Sequence, residues 1–222
     1  MHHTNKLLVA IILCSMNFSF AQQNKDFISK EEIVKLKEEK TQFEYLNIQG
    51  ESNKLEDFGY NEITQYLEQK EKNKHIQVLS KHISTKYKLN FQHAEHIVKT
   101  TFTEAEKHEI EPVLMLSIIG IESTFKLKAL SPVGAVGLAQ IMPQFHINKI
   151  NMLKKENLDI YSIQGNIRVG IQILKEYIDL ANGNVQEALQ RYNGSYSDKN
   201  KSYSKKVFSK MKNLKSVASI KT

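Results

Sequence analysis

Apolar residues recur at helical spacing from about His75 onward and only sparsely before it. Ile76, Leu79 and Ile83 lie three and four apart, which predicts one buried face of a helix. Asn90 is placed to cap the next helix, whose inner face carries Ala94, Ile97, Val98, Phe102 and Ala105. Pro112 suits the first turn of a third helix, because a missing amide proton costs nothing there. That helix is apolar from Val113 to Ile121 and ends at Glu122, with Met115, Ile118 and Ile119 seven, four and three residues before the carboxylate on the same face. A loop follows over 131–137, whose Gly134 and Gly137 allow tight backbone and close approach to a ligand. A short helix then restarts around Leu138–Pro143. Further helices are predicted over 166–180 (Ile167, Gly170, Ile171, Leu174 and Ile178 inward), over 185–192, and over 203–214. No alternating β-branched run has strand length, so the chain reads as all-α, with a small hairpin near the glycine loop.

The N-terminal third differs in kind. Leu7–Cys14 is an apolar stretch behind His2, His3 and Lys6, and Ser19-Phe-Ala21 offers small residues at the −3 and −1 positions of a cleavage site. This is the secretory pattern, and the apolar stretch is too short to span a bilayer. The competing reading is a retained anchor. Leu13 precedes Cys14 where a lipoprotein signal needs a small residue, which argues against lipidation. Residues 22–74 are rich in Lys and Glu, with a capping box at Ser29–Glu32 and a short helix over 60–67. They read as an accessory helical arm, partly mobile because so few apolar groups offset its ordering entropy. The expected division is a signal peptide over 1–21, the arm over 22–74, a helical globular domain over 75–214 and a tail over 215–222.

Glu122 has the most distinctive setting. It closes a greasy helix and faces a glycine-rich loop, and no acid follows it until Glu156. Desolvation disfavours a charged carboxyl and raises its pKa, which suits a general acid near neutral pH. The plain alternative is a helix-end glutamate pointing into water.

The downstream pattern favours chemistry. Glu122-Ser123 is followed by Ser131-Pro-Val-Gly134-Ala135-Val-Gly137-Leu138-Ala-Gln140-Ile-Met142-Pro143, then Asn166-Ile-Arg-Val-Gly170, Tyr192-Asn193-Gly194 and Tyr203-Ser-Lys-Lys-Val207. In order and spacing this series, over roughly 75–214, resembles the SLT-type lytic transglycosylases of bacteria. The resemblance implies a lysozyme-like helical domain that cuts peptidoglycan between N-acetylmuramic acid and N-acetylglucosamine, leaving a 1,6-anhydromuramoyl end. It implies Glu122 as the catalytic acid, with Ser131, Gln140, Met142, Tyr192, Asn193 and Tyr203 lining the glycan site. For Met142 and Tyr203 core packing is the competing role, and for Ser131 a plain turn. Two positions depart from many relatives: Ala139 stands where Met is common, and Arg191 where Ala precedes the Tyr-Asn pair. A smaller side chain at 139 would be expected to widen the groove or alter its floor.

The residues permit the implied chemistry. A common glycosidase design uses two carboxylates flanking the bond, yet residues 123–155 contain none. Glu156 and Asp159 come next, in a polar stretch beside Lys154 and Lys155. A single carboxyl acting first as acid and then as base is the natural hypothesis, with the substrate's own N-acetyl group assisting. The alternatives are a muramidase that uses water and a glycan-binding scaffold with a spent site.

Charge and side-chain inventory narrow the field. The formal net charge is +7 at pH 7, and cleavage after residue 21 would remove only Lys6. A basic surface favours anionic partners such as cell-wall polymers, whereas no nucleic-acid motif accompanies the charge. Cys14 is the sole cysteine, so thiol catalysis, disulfides and cysteine metal sites are not expected of the mature chain. His108-Glu-Ile-Glu-Pro112 has Pro where a zinc protease needs its second His. No cofactor or metal is called for. The expected location is the periplasm or cell envelope, with peptidoglycan strands as substrate, a secretion or division machine of the envelope as candidate partner, and no membrane span after signal removal.

Overall fold

The computed structural model describes residues 60–219, with side chains from residue 68. The signal peptide and most of the arm predicted over 22–74 lie outside the described residues. Those from Leu67 on belong to one compact unit.

Seven α-helices make up the described chain: α1 Tyr60–Tyr87, α2 Phe91–Glu106, α3 Pro112–Glu122, α4 Ile147–Lys155, α5 Ile163–Leu180, α6 Val185–Tyr192 and α7 Ser202–Ser219, with a 3-10 turn at Pro143–Phe145. The domain is all-α. The hairpin expected near the glycine loop is reduced to two isolated bridges, Leu130 with Val136 and Val136 with Ile141.

Helix α3 is the axis of the domain. Leu114 to Gly120 are all buried, as befits a helix that is apolar on every side. Its main partner is α7, and it also packs on α2; α5 in turn joins α2 to α6. The α7 face is built from Tyr203, Val207 and Leu214, all buried and four and seven apart. Helix α2 buries Ala94, Ile97, Val98, Phe102 and Ala105, the stripe that periodicity predicted.

Local chemistry explains the helix starts. The Asn90 side chain accepts from the His93 amide at 3.2 Å, Ser162 from Gly165 at 2.9 Å, and Asn184 from Glu187 at 3.1 Å, each satisfying an orphan donor of a first turn. Three bounds differ from expectation. Helix α1 runs unbroken from Tyr60 to Tyr87, through the point where arm and domain were divided. Helix α5 starts at Ile163, three residues earlier than expected, because Ser162 caps it. The helix expected at 138–143 is instead a bridged turn, and helix comes only with the Pro143 3-10 turn and α4. The backbone of Val136 and Ile141 is exchanged in a bridge, N to O at 2.8 and 3.0 Å, which holds that stretch out of helix.

Candidate active site

Glu122 is the last residue of α3, half-buried, with Ser123 as the C-cap. The next two residues, Thr124 and Phe125, have φ of 51° and 63°. Left-handed backbone at a β-branched residue is a costly arrangement that must be held by its surroundings. Phe125 does the holding: its side chain is fully buried, with its ring 4.8 Å from that of Tyr87 in α1. The chain therefore leaves the helix sharply right after the carboxyl.

Tyr203, near the start of α7, donates its hydroxyl to Glu122 Oε1 at 2.5 Å. Two influences act on Glu122. Burial raises its pKa and the tyrosine hydrogen bond lowers it; burial wins, and the carboxyl sits above its ordinary range. Tyr203 itself is pushed far up by burial, by the Glu122 charge and by the shared hydrogen bond, so it stays a donor. Tyr192, at the end of α6, donates to the Ala139 carbonyl at 3.0 Å. Its phenol is also raised, by burial first and then by the charges of Glu122 and Tyr177. The two tyrosines thus enclose the electrostatic neighbourhood of one carboxyl.

The glycine loop is fastened from two directions. Ser131 Oγ accepts from the Ala135 amide at 2.9 Å, and the Ser131 and Ala135 backbones pair at 2.9 Å. Gln140 Nε2 donates to the carbonyls of Gly137 at 2.9 Å and Ala129 at 3.3 Å. From the other side Asn166, fully buried in α5, accepts from the Ala139 amide at 2.8 Å and donates to the Val136 and Ile160 carbonyls at 3.1 and 3.0 Å. Gly137 lies against that amide: a Cβ there would fall 2.1 Å from Asn166 Nδ2, and its φ is +79°. Gly170 makes room in the same way, since its Cβ would meet Ala139 Cβ and Met115 Cε at 2.7 Å and the Tyr192 hydroxyl at 3.2 Å.

The sequence-predicted residues thus fall into groups. Glu122 and Tyr203 meet directly, and Tyr192 stands within electrostatic reach of Glu122. Ser131 and Gln140 are engaged in loop structure, with the Gln140 nitrogen taken by the Gly137 and Ala129 carbonyls. Met142 is half-buried just before Pro143, and Asn193 is exposed at the end of α6 with its amide on the Leu189 carbonyl at 3.1 Å. Ala139 is fully buried, with its side chain against Gly170 of α5, so its size bears directly on how the loop packs on that helix.

The next acids along the chain are engaged. Glu156 pairs with Arg168, and Asp159 accepts from the Tyr161 amide at 3.0 Å. Arg168 also holds Glu104 through Nε at 2.9 Å and Nη2 at 3.0 Å, while Lys107 and Gln164 reach Glu104 Oε1 at 3.0 and 3.1 Å. The Glu104 side chain is only 1% exposed. Burial would raise its pKa, but the hydrogen bonds from Arg168, Lys107 and Gln164 outweigh it and hold the carboxyl at about 2. Neither this network nor the Asn166 pin had been given a role from sequence. The available signal was an amide and an acid standing inside apolar helix stripes, where each needs partners.

The family model of the transglycosylase SLT domain matches residues 99–215. One similar solved structure is an inactive mutant of the lytic transglycosylase Slt from Pseudomonas aeruginosa, at 22% identity and a TM-score of 0.46, covering 53% of this chain. The aligned part is 24% of that chain, so this protein corresponds to a minor part of its length. With the family match extending from α2 through most of α7, the chain belongs to the transglycosylase SLT domain family.

Proposed function

We propose that this protein is an exported peptidoglycan lytic transglycosylase, with Glu122 as its single acid–base group. Family membership supports the substrate and reaction class. The observation that carries the mechanism is the half-buried Glu122, raised in pKa and fixed by the Tyr203 hydroxyl. Protonated Glu122 gives its proton to the glycosidic oxygen as the bond from muramoyl C1 to that oxygen breaks. The substrate's N-acetyl oxygen stabilises the cationic carbon from the other face. The muramoyl C6 oxygen then bonds to C1, and its proton passes to the Glu122 carboxylate. No water is consumed, and the enzyme returns to its starting protonation state.

The surroundings suit both halves of this cycle. Burial favours the neutral acid that starts it. The Tyr203 O–H favours the carboxylate formed midway, because a hydrogen bond to the charged form stabilises it. Ser131, Gln140, Met142, Tyr192 and Asn193 are proposed to line or shape the glycan site. Glu156 and Asp159 are poor candidates for a second catalytic carboxyl, being held by Arg168 and by a backbone amide. The envelope is the place where this substrate is found, in keeping with the proposed secretory signal.

Digestion of purified sacculi tests the reading. Anhydromuramoyl ends are expected from the parent protein, with nearly complete loss on Glu122→Gln. Reducing ends would indicate a hydrolytic muramidase, and no cleavage with retained binding would indicate a scaffold.

A further inference from the structure

Tyr196 lies on the connection between α6 and α7, over 193–201, and is 63% exposed. The loop that carries this exposed ring is held by several hydrogen bonds. The Ser195 amide donates to the Gln190 carbonyl at 2.9 Å, and Gln190 Nε2 donates to the Ser195 carbonyl at 3.1 Å. The same Gln190 accepts from the Ser204 amide at 3.2 Å. Asp198 accepts from the Asn200 and Ser202 amides at 2.9 and 2.7 Å. The ring itself is backed by Arg191, whose guanidinium carbon stands 5.4 Å from its centroid. Arg191 is in turn held by Glu187 Oε1, through Nη2 at 2.6 Å and Nε at 3.2 Å.

The loop therefore presents a pre-set aromatic surface between the helices that carry Tyr192 and Tyr203. Tyr196 is four positions after Tyr192, so at most about 14 Å of extended chain lies between them. An aromatic face is electron-rich and attracts the weakly positive C–H groups of a pyranose, while covering apolar area. A guanidinium seated against the ring fixes its orientation at little entropic cost.

We propose that Tyr196, backed by Arg191, is a stacking platform for a sugar ring of the glycan strand outside the cleaved bond. This rests on the peptidoglycan reading above. It gives Arg191 a part in substrate preference through the ring it supports.

The test uses Glu122→Gln protein, which binds without turnover, and soluble peptide-free glycan strands as the probe, with affinity read by calorimetry. Adding Tyr196→Ala is expected to weaken binding about tenfold, the scale of one aromatic contact. Tyr196→Leu should weaken it similarly, and Tyr196→Trp should restore it. Melting temperature is followed in each, and Leu answers the same question should Ala disturb the loop. Unchanged affinity in Tyr196→Ala or Tyr196→Leu overturns the platform while leaving the enzyme reading intact. Absence of any glycan binding by Glu122→Gln, with no cleavage by the parent, overturns the enzyme reading and the platform with it.

Discussion

Tyr203 donates its hydroxyl to Glu122 across 2.5 Å, joining the end of α3 to the start of α7 over a sequence gap of 81 residues. The bond sits on a carboxyl that burial is pushing the other way. The site is thus a balance between a desolvated acid that prefers its proton and a hydroxyl that prefers the anion.

Tyr203→Phe should tilt that balance. Losing the hydrogen bond removes the influence that lowers the Glu122 pKa, so the pKa rises further. Activity needs the protonated acid at the start, so the alkaline limb of the kcat/KM profile should move to higher pH. The rate at the optimum should also fall about tenfold, because the carboxyl loses its orienting partner. A pH profile of muropeptide release checks both; a lower rate with an unmoved limb would mean that Tyr203 acts through packing alone.

Gly137→Ala should be disruptive despite its small size. The added methyl would lie 2.1 Å from Asn166 Nδ2, at a φ of +79° that side chains avoid. The buried amide would lose contact with Val136 and Ala139. A loss of about 2–4 kcal/mol is expected from unmade buried hydrogen bonds together with strain. Urea unfolding measures it, and Asn166→Ala should cost a comparable amount through the same bonds.

Glu104 gives a stability signature in acid. Its folded pKa of about 2 lies below the ordinary 4.5, so the ionised form is favoured by folding. The stabilisation is fully present above the ordinary value and is lost as pH falls from 4.5 towards 2. Glu104→Gln should therefore cost about 2–3 kcal/mol at pH 7, a buried-pair value reduced for the water that reaches Arg168 and Glu156. The difference from the parent should shrink towards pH 2.5, as followed by thermal melting across pH.

The helices were legible because burial imposes a period that residues such as Ile97, Phe102, Ile167 and Leu174 repeat. Glu122 stood out for a related reason, as an acid closing a helix that is apolar apart from Ser117, with no acid near it downstream. Helix α4 was not legible, since Ile147–Lys155 is short and buries only Ile150 and Leu153 while the equally apolar Ile147 and Met152 stay exposed, which blurs its face. The Glu104–Arg168 pair spans 64 residues of sequence, and no local spacing encodes such a partner. Asn166 stood inside a quoted motif, yet its task depends on Val136, Ala139 and Ile160, which only the fold brings together.

The central claim is that one carboxyl, at Glu122, both gives and retrieves the proton. Mass spectrometry of muropeptides released from purified sacculi tests it most directly, with parent and Glu122→Gln run side by side. The account predicts anhydromuramoyl products from the parent and a loss of about a thousandfold or more in Glu122→Gln, on the upper side of what a single acid–base group supplies. Cleavage at near-parental rate by Glu122→Gln would contradict it.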